Sequence, residues 1–273
     1  MVDGKTIIIT GGSSGVGLKL SERFIGGGAN LVLIARNKEK LLEAKQFLEG
    51  VAVRGNRVHV ISCDVSDYPS VQDAFKESAD MAGLPDMLIN SAGILREGYV
   101  DDQDVSTFRE IMDINFFGTL HGVKAILPYF GEKGGGRIVN ISSIAGLMGV
   151  FGYSAYCAAK HAVTGLTSSL RVELKPRNIK VHLVCPPEFD SPMVDELNEN
   201  RTIENKVMAQ TIPVLSADVV ADAVIEGIEK ERYEIITGRT ARIIATCDRL
   251  FPGVSRRVSD FRVGRVYKGP STL

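Results

Sequence analysis

One pattern dominates the chain and leaves few folds open to it: short β-branched runs alternate with helical stretches from end to end. KTIIIT (Lys5–Thr10) stops at glycines, and a helical stretch runs from Gly15 to about Gly26. ANLVLIAR (Ala29–Arg36) is followed by the charged stretch NKEKLLEAKQFLEG, and RVHVISCDV by PSVQDAFKESADMAG. DMLINSAG precedes a long helix expected around Val105–Phe130, GRIVNISS a helix from about Ser154 to Leu174, and IKVHLVCPP closes the sixth unit. ADVVADAVIEGIEK and YEIITG supply a seventh. Continuous apolar strands alternating with helices mark a parallel sheet covered on both faces. Right-handed crossovers then produce a doubly wound α/β domain, here with seven parallel strands flanked by helices. No linker or low-complexity run interrupts it, so residues 1–238 read as one domain, followed by an extension over 239–273.

Bulk properties exclude several functions. With 273 residues and a formal net charge of −1, the chain has no global field for nucleic acid. Cys63, Cys157, Cys185 and Cys247 are scattered, with no CxxC or Cys/His cluster, and read as reduced thiols without a disulfide or zinc role. His59, His121, His161 and His182 are equally dispersed and read as structural. No signal peptide opens the chain and no apolar run approaches the ~18 residues of a membrane helix, so a cytoplasmic protein is expected.

TGGSSGVG (Thr10–Gly17) ends the first strand and opens the first helix, the setting a dinucleotide-binding loop requires. Gly11 permits the tight turn, Gly15 lets backbone approach a pyrophosphate, and Gly17 permits close packing of helix on strand. Ser13, Ser14 and Val16 complete the loop, whose helix N-terminus offers free N–H groups to phosphate. The second strand ends in IARNKEK, with Arg36 at its tip and Lys40 one turn on, where an acidic residue would meet a free ribose 2′-hydroxyl. A guanidinium suits a 2′-phosphate, so NADP(H) is expected over NAD(H). Asp64 and Val65, after the third strand, are placed for the adenine, and Asn90, Ala92 and Gly93, after the fourth, for its ribose.

The stretch YCAAK sets Tyr156 and Lys160 on one helical face with only small side chains between them. Taken in order, TGGSSGVG, NSAG, Asn115, ISS and YCAAK resemble the short-chain dehydrogenase/reductases from about residue 5 to 236. The resemblance implies a catalytic group of Asn115, Ser143, Tyr156 and Lys160. Tyr156 would exchange the proton, its pKa lowered by the neighbouring cation, and Lys160 would also hold the nicotinamide ribose. Ser143 would steady the substrate oxygen. Asn115 would bend its helix and hold a water that relays protons to Lys160.

After the sixth strand, the family pattern of Pro-Gly and a following Thr is replaced by CPPEFDSP: Pro186 fits, Pro187 stands for glycine, and Ser191 for Thr, with Phe189 between them. PPEFDSPM, ENRT, VFGYSAY and VELKPRNIKV are similar to members that reduce a long-chain 3-keto sphingoid base with NADPH. Another apolar ketone, such as a steroid or a 3-oxoacyl compound, is the alternative, as is a non-catalytic NADP-binding sensor. Ile94, Leu95, Leu147, Met148, Phe151, Tyr153 and the segment from Phe189 to Met208 are expected to line the substrate, with a lid over about 187–212. The extension carries Arg239, Arg242, Arg249, Arg256, Arg257, Arg262, Arg265 and Lys268 against Asp248 and Asp260. It reads either as a contact with an anionic membrane through Leu250, Phe251 and Phe261, or as a subunit contact or solvated segment. The resemblance also implies a homodimer or homotetramer built through the helices of Asn115 and Tyr156.

Overall fold

The computed structural model describes residues 2–53 and 55–267; Lys268 of the basic extension lies outside them. Seven strands alternate with helices: β1 (Thr6–Thr10), α1 (Gly15–Gly26), β2 (Asn30–Ala35), α2 (Lys38–Val51), β3 (Val58–Ser62), α3 (Tyr68–Ala82) and β4 (Met87–Asn90). There follow α4 (Val105–Met112), α5 (Gly118–Lys133), β5 (Gly136–Ile141), α6 (Ser154–Glu173), β6 (Ile179–Cys185), α7 (Pro192–Glu199) and α8 (Ile203–Ala209). The chain ends with α9 (Ala217–Glu229), β7 (Glu234–Ile236), α10 (Arg239–Leu250) and α11 (Pro252–Tyr267). The strands form one sheet in the order β3-β2-β1-β4-β5-β6-β7, and every pairing is parallel.

The alternation of side chains along each strand divides the core in two. Ile7 and Ile9 of β1, with Leu31 and Leu33 of β2, point to the face covered by α1, α2 and α9. Ile8, with Val32 and Ile34, points to the other, against α3, α5 and α6. Both sets are essentially inaccessible to water, and each such side chain contributes about 1.5–3 kcal/mol by its burial. That is why the runs Ile7–Ile9 of β1 and Leu31–Ala35 of β2 are continuously apolar instead of alternating with polar residues.

The expected single helix over Val105–Phe130 is two helices joined by a five-residue π-helical segment, Asp113–Phe117. The wider turn carries one residue more than an α-turn holds, and Asn115 sits in it, fully buried. The extension is helical too. Arg249 forks onto Glu234 of β7 at 2.7 Å, Arg242 donates to the Ile236 carbonyl at 3.2 Å, and Arg262 donates to the Thr211 hydroxyl. Three of its cations thus tie α10 and α11 to the sheet edge and to the segment after α8.

Candidate active site

The strand order reverses between β1 and β4, and the crevice outside the carboxyl ends of the strands at such a point is where α/β sheets bind ligands. Gly11 begins the crevice with φ +69°; a Cβ there would stand 2.7 Å from the Ala92 nitrogen. Gly17 lies against the same turn, and its Cβ would meet the Gly11 carbonyl oxygen at 2.3 Å. Gly15, with φ +51°, faces open space apart from Ser191 at 3.8 Å. Ser14, which caps α1, makes no side-chain bond to the helix, and the first turn carries no acid. The unpaired N–H groups therefore present an uncontested positive end. A cradle that side chains would fill, opening on a helix N-terminus, fits the pyrophosphate of a dinucleotide.

The flank of this cradle is less uniform than the motifs suggest. Arg36, exposed at the end of β2, has its guanidinium 3.9 Å from a carboxylate oxygen of Asp64. The other oxygen of Asp64 accepts from the Ser66 amide and hydroxyl at 2.9 and 2.7 Å. Lys40 is exposed on the first turn of α2, and Ser13 is partly buried in the glycine turn. Val65 is buried against Gly118, so its side chain belongs to the core. Asn90 departs from expectation. Its amide donates to Asn140 at 2.9 Å, whose own amide donates to Thr167 at 3.0 Å, and this buried chain braces β4 and β5 to α6. The side chain is turned away from the crevice, and Ser91 lines the crevice instead.

Ser143, Tyr156 and Lys160 meet over the crevice. The two serines after β5 divide as strand alternation predicts. Ser142 is buried, donating to the Lys160 carbonyl at 3.0 Å, whereas Ser143 lines the cavity and lies 3.4 Å from the Pro186 carbonyl oxygen. Lys160 extends beneath Tyr156, with Nζ 5.6 Å from the ring centroid and 3.0 Å from the Ile141 carbonyl oxygen. Burial pushes the Lys160 ammonium down to about 8. It also pushes the Tyr156 phenol above its usual value, a hydrogen bond with Ser143 being the main opposing effect. The expected lowering of the phenol therefore does not prevail in this pocket, where burial outweighs the hydrogen bond that opposes it. Desolvation acts on both groups, and it favours the neutral form of each.

Asn115 differs from expectation in what it holds. Its Oδ1 accepts from the Ile94 amide at 2.8 Å and its Nδ2 donates to the Ile94 carbonyl at 2.9 Å. The side chain clamps one residue of backbone from both sides. A Cβ on Gly93 would stand 3.0 Å from that Oδ1 and 3.6 Å from Lys160 Nζ, so Asn115 fixes the floor on which the lysine lies.

From Gly11, Ala92 and Gly93 the crevice continues into a cavity of about 770 Å3. Val16, Leu95, Met148, Tyr153, Pro186, Phe189 and Ser191 line it, as do Leu197 and Met208. Ile94, Leu147 and Phe151 do not. Ile94 and Leu147 pack into core clusters, and Phe151 meets Tyr99 edge-on at 5.8 Å. Their place is taken by Ile244 and Cys247 of α10, Phe251, and Val254 and Val258 of α11. Ile244, Cys247, Phe251, Val254 and Val258 follow helical spacing, a signal present in the sequence but diluted by the surrounding arginines. Among the described residues, no cluster of His, Cys, Asp or Glu is able to hold a metal, and no helix is long and apolar enough to cross a membrane.

Comparison with known proteins agrees with this geometry. The family described as short chain dehydrogenase matches residues 5–202. A 3-ketodihydrosphingosine reductase of Bos taurus is 36% identical over 245 residues, 89% of this chain and 74% of its own. Another, from Dictyostelium discoideum, is 32% identical over 267 residues, 92% of this chain and 79% of its own. Among solved structures, levodione reductase superposes with a TM-score of 0.81 at 25% identity, covering 89% of this chain and 99% of its own. A short chain dehydrogenase/reductase from Burkholderia phymatum, in complex with NAD, gives 0.81 at 26% identity over 92% and 95% of the two chains.

Proposed function

The chain belongs to the short-chain dehydrogenase family, and from that premise we propose that it reduces a long-chain 3-keto sphingoid base to the alcohol with NADPH. The observation that carries this reading is the meeting of Ser143, Tyr156 and Lys160 where the glycine cradle opens into a long apolar cavity. A nicotinamide dinucleotide held by the glycine cradle and Lys160 would supply the hydride for the carbonyl carbon. The remaining work falls to the protein. Ser143 donates a hydrogen bond to the carbonyl oxygen, and Tyr156 gives that oxygen its proton as negative charge develops. The raised pKa of the phenol keeps it protonated in the resting site, and the developing alkoxide is basic enough to take the proton. Lys160, in its cationic form, steadies the resulting phenolate and holds the nicotinamide ribose, while Asn115 positions Lys160 through Gly93 and Ile94.

Arg36, exposed at the tip of β2, supports NADP(H): it is free to turn from its long contact with Asp64 toward a 2′-phosphate. Exposed Val254, Val258 and Phe261 beside Arg257 and Arg265 on α11 support peripheral contact with an anionic membrane at the cavity mouth. Exposed Phe117 and Val172 support pairing of subunits through the helices of Asn115 and Tyr156. The test is a substrate panel followed by loss of NADPH absorbance: 3-ketodihydrosphingosine, steroid ketones and 3-oxoacyl thioesters. The sphingoid base should be reduced with the highest kcat/KM; equal or better turnover of another class refutes the substrate, and no turnover of any refutes the enzyme. Arg36→Asp should move preference from NADPH toward NADH, and an unchanged ratio refutes the role given to Arg36.

A further inference from the structure

Of the carboxylates that line the cavity, Glu188 stands two residues beyond the Pro186 carbonyl that Ser143 touches. Two residues span at most about 7 Å of backbone, so the acid stands close to where the ketone is held. The other carboxylates in the wall, Asp248 and Asp260, belong to α10 and α11 at the far end. Glu188 is built in with unusual care. Its Oε1 accepts from the Tyr153 hydroxyl at 3.1 Å and from Arg201, and its Oε2 accepts from Arg201 at 3.1 Å.

The Arg201 side chain is 6% exposed and that of Glu188 is 21%, so the guanidinium lies behind the carboxylate and the open side faces the cavity. Arg201 is held in turn by Asn205 at 2.5 Å, and Asn205 donates to the Phe151 carbonyl at 2.5 Å. Tyr153 lies edge-on to Tyr156, ring centroids 5.7 Å apart. A carboxylate offers about four lone-pair sites. Three are filled here, and the remaining one belongs to Oε2.

We propose that Glu188 is the amine-recognition site of this enzyme: its free Oε2 lone pair accepts an N–H from an amino group on the carbon next to the ketone. The inference rests on the reading above, and it explains an acid placed in a wall that an unsubstituted aliphatic ketone would prefer apolar. Arg201 and Tyr153 aim the carboxylate and prevent it from folding onto Ser143 or Tyr156. The amine, once seated, fixes which side of the neighbouring carbonyl faces Tyr156.

The experiment compares 3-ketodihydrosphingosine with the same chain carrying hydrogen in place of the amine, using NADPH with the native protein and Glu188→Gln. The native protein should favour the amine-bearing chain by roughly ten- to a hundredfold in kcat/KM, the range of one hydrogen bond to a charged group. In Glu188→Gln that ratio should fall toward one, and taking the ratio cancels general damage from disturbing Arg201. A native ratio near one, or a ratio unaltered in the variant, overturns the proposal while the reductase reading stands. No turnover of either chain overturns both. The native ratio is measurable even if the variant does not fold.

Discussion

Gly17→Ala gives the sharpest test of the cradle, because the structure supplies both the perturbation and its control. The new methyl would lie 2.3 Å from the Gly11 carbonyl oxygen and 2.9 Å from the carbonyl carbon. Both are backbone atoms of a turn at φ +69° that itself abuts Ala92, so neither is able to retreat cheaply. Gly-to-Ala within a helix gains about 0.5–1 kcal/mol, and overpacking of this kind costs about 1–3 kcal/mol or more. The net loss is on the order of 2 kcal/mol, or a fall in Tm of roughly 5 °C for a domain of this size. The fold survives that, but the turn shifts. Gly26, at the other end of α1, has nothing within 4 Å of its Cβ position. Gly26→Ala should therefore raise Tm by about 1–3 °C. Calorimetric titration with NADPH should show Kd raised more than tenfold in the first variant and unaltered in the second. Native affinity together with native Tm in Gly17→Ala would refute the account of the cradle.

Tyr156→Phe should lower kcat by roughly a hundred- to ten-thousandfold, the usual contribution of a positioned acid, while NADPH binding measured by titration persists. Val254→Asp with Val258→Asp should raise KM for a long-chain ketone about tenfold and leave KM for a short one near native, since both residues line the outer cavity. His182 is buried with Nδ1 2.6 Å from the Arg232 carbonyl oxygen and Nε2 3.0 Å from an Arg137 nitrogen, an arrangement for neutral imidazole. Burial lowers its pKa from 6.5 to about 4. The unfolded chain thus binds the proton first, so the stability His182 confers is complete above pH 6.5 and is lost as pH falls through 4, about 3 kcal/mol in all. His182→Asn, compared with the native protein by urea unfolding from pH 7 to 4, should show a correspondingly shallower acid decline; parallel curves would refute the assignment.

The alternation of β-branched runs made the seven strands and their parallel pairing legible, since sheets buried on both faces leave continuous apolar segments. Gly11 and Gly17 were legible for a related reason: backbone approaching backbone excludes every other residue. Asn90 misled because a polar residue ending a strand has the same appearance whether it faces the crevice or a neighbouring Asn. The π-helical turn has no residue signature in DINFF. Composition concealed the role of α10 and α11. Arginines that bind Glu234, Ile236 and Thr211 in the fold read along the chain as a solvated tail. None of the described residues of α11 is buried, so its apolar spacing had no core to declare.

The surplus residue between Asp113 and Phe117 also sets the phase of everything after it. Wound as an ordinary α-helix, the same residues would carry α5 on by about 100°. Phe117 would then arrive where Gly118 rests on Val65, and His121 where Gly122 leaves only 2.4 Å between a Cβ and Asn90 Oδ1. The wide turn works like a vernier, taking up one residue so that the two glycines face β4 and the loop after β3. In descendants of this sequence, the spacing from Asn115 to Gly118 and Gly122 should outlast the identity of the residues between them.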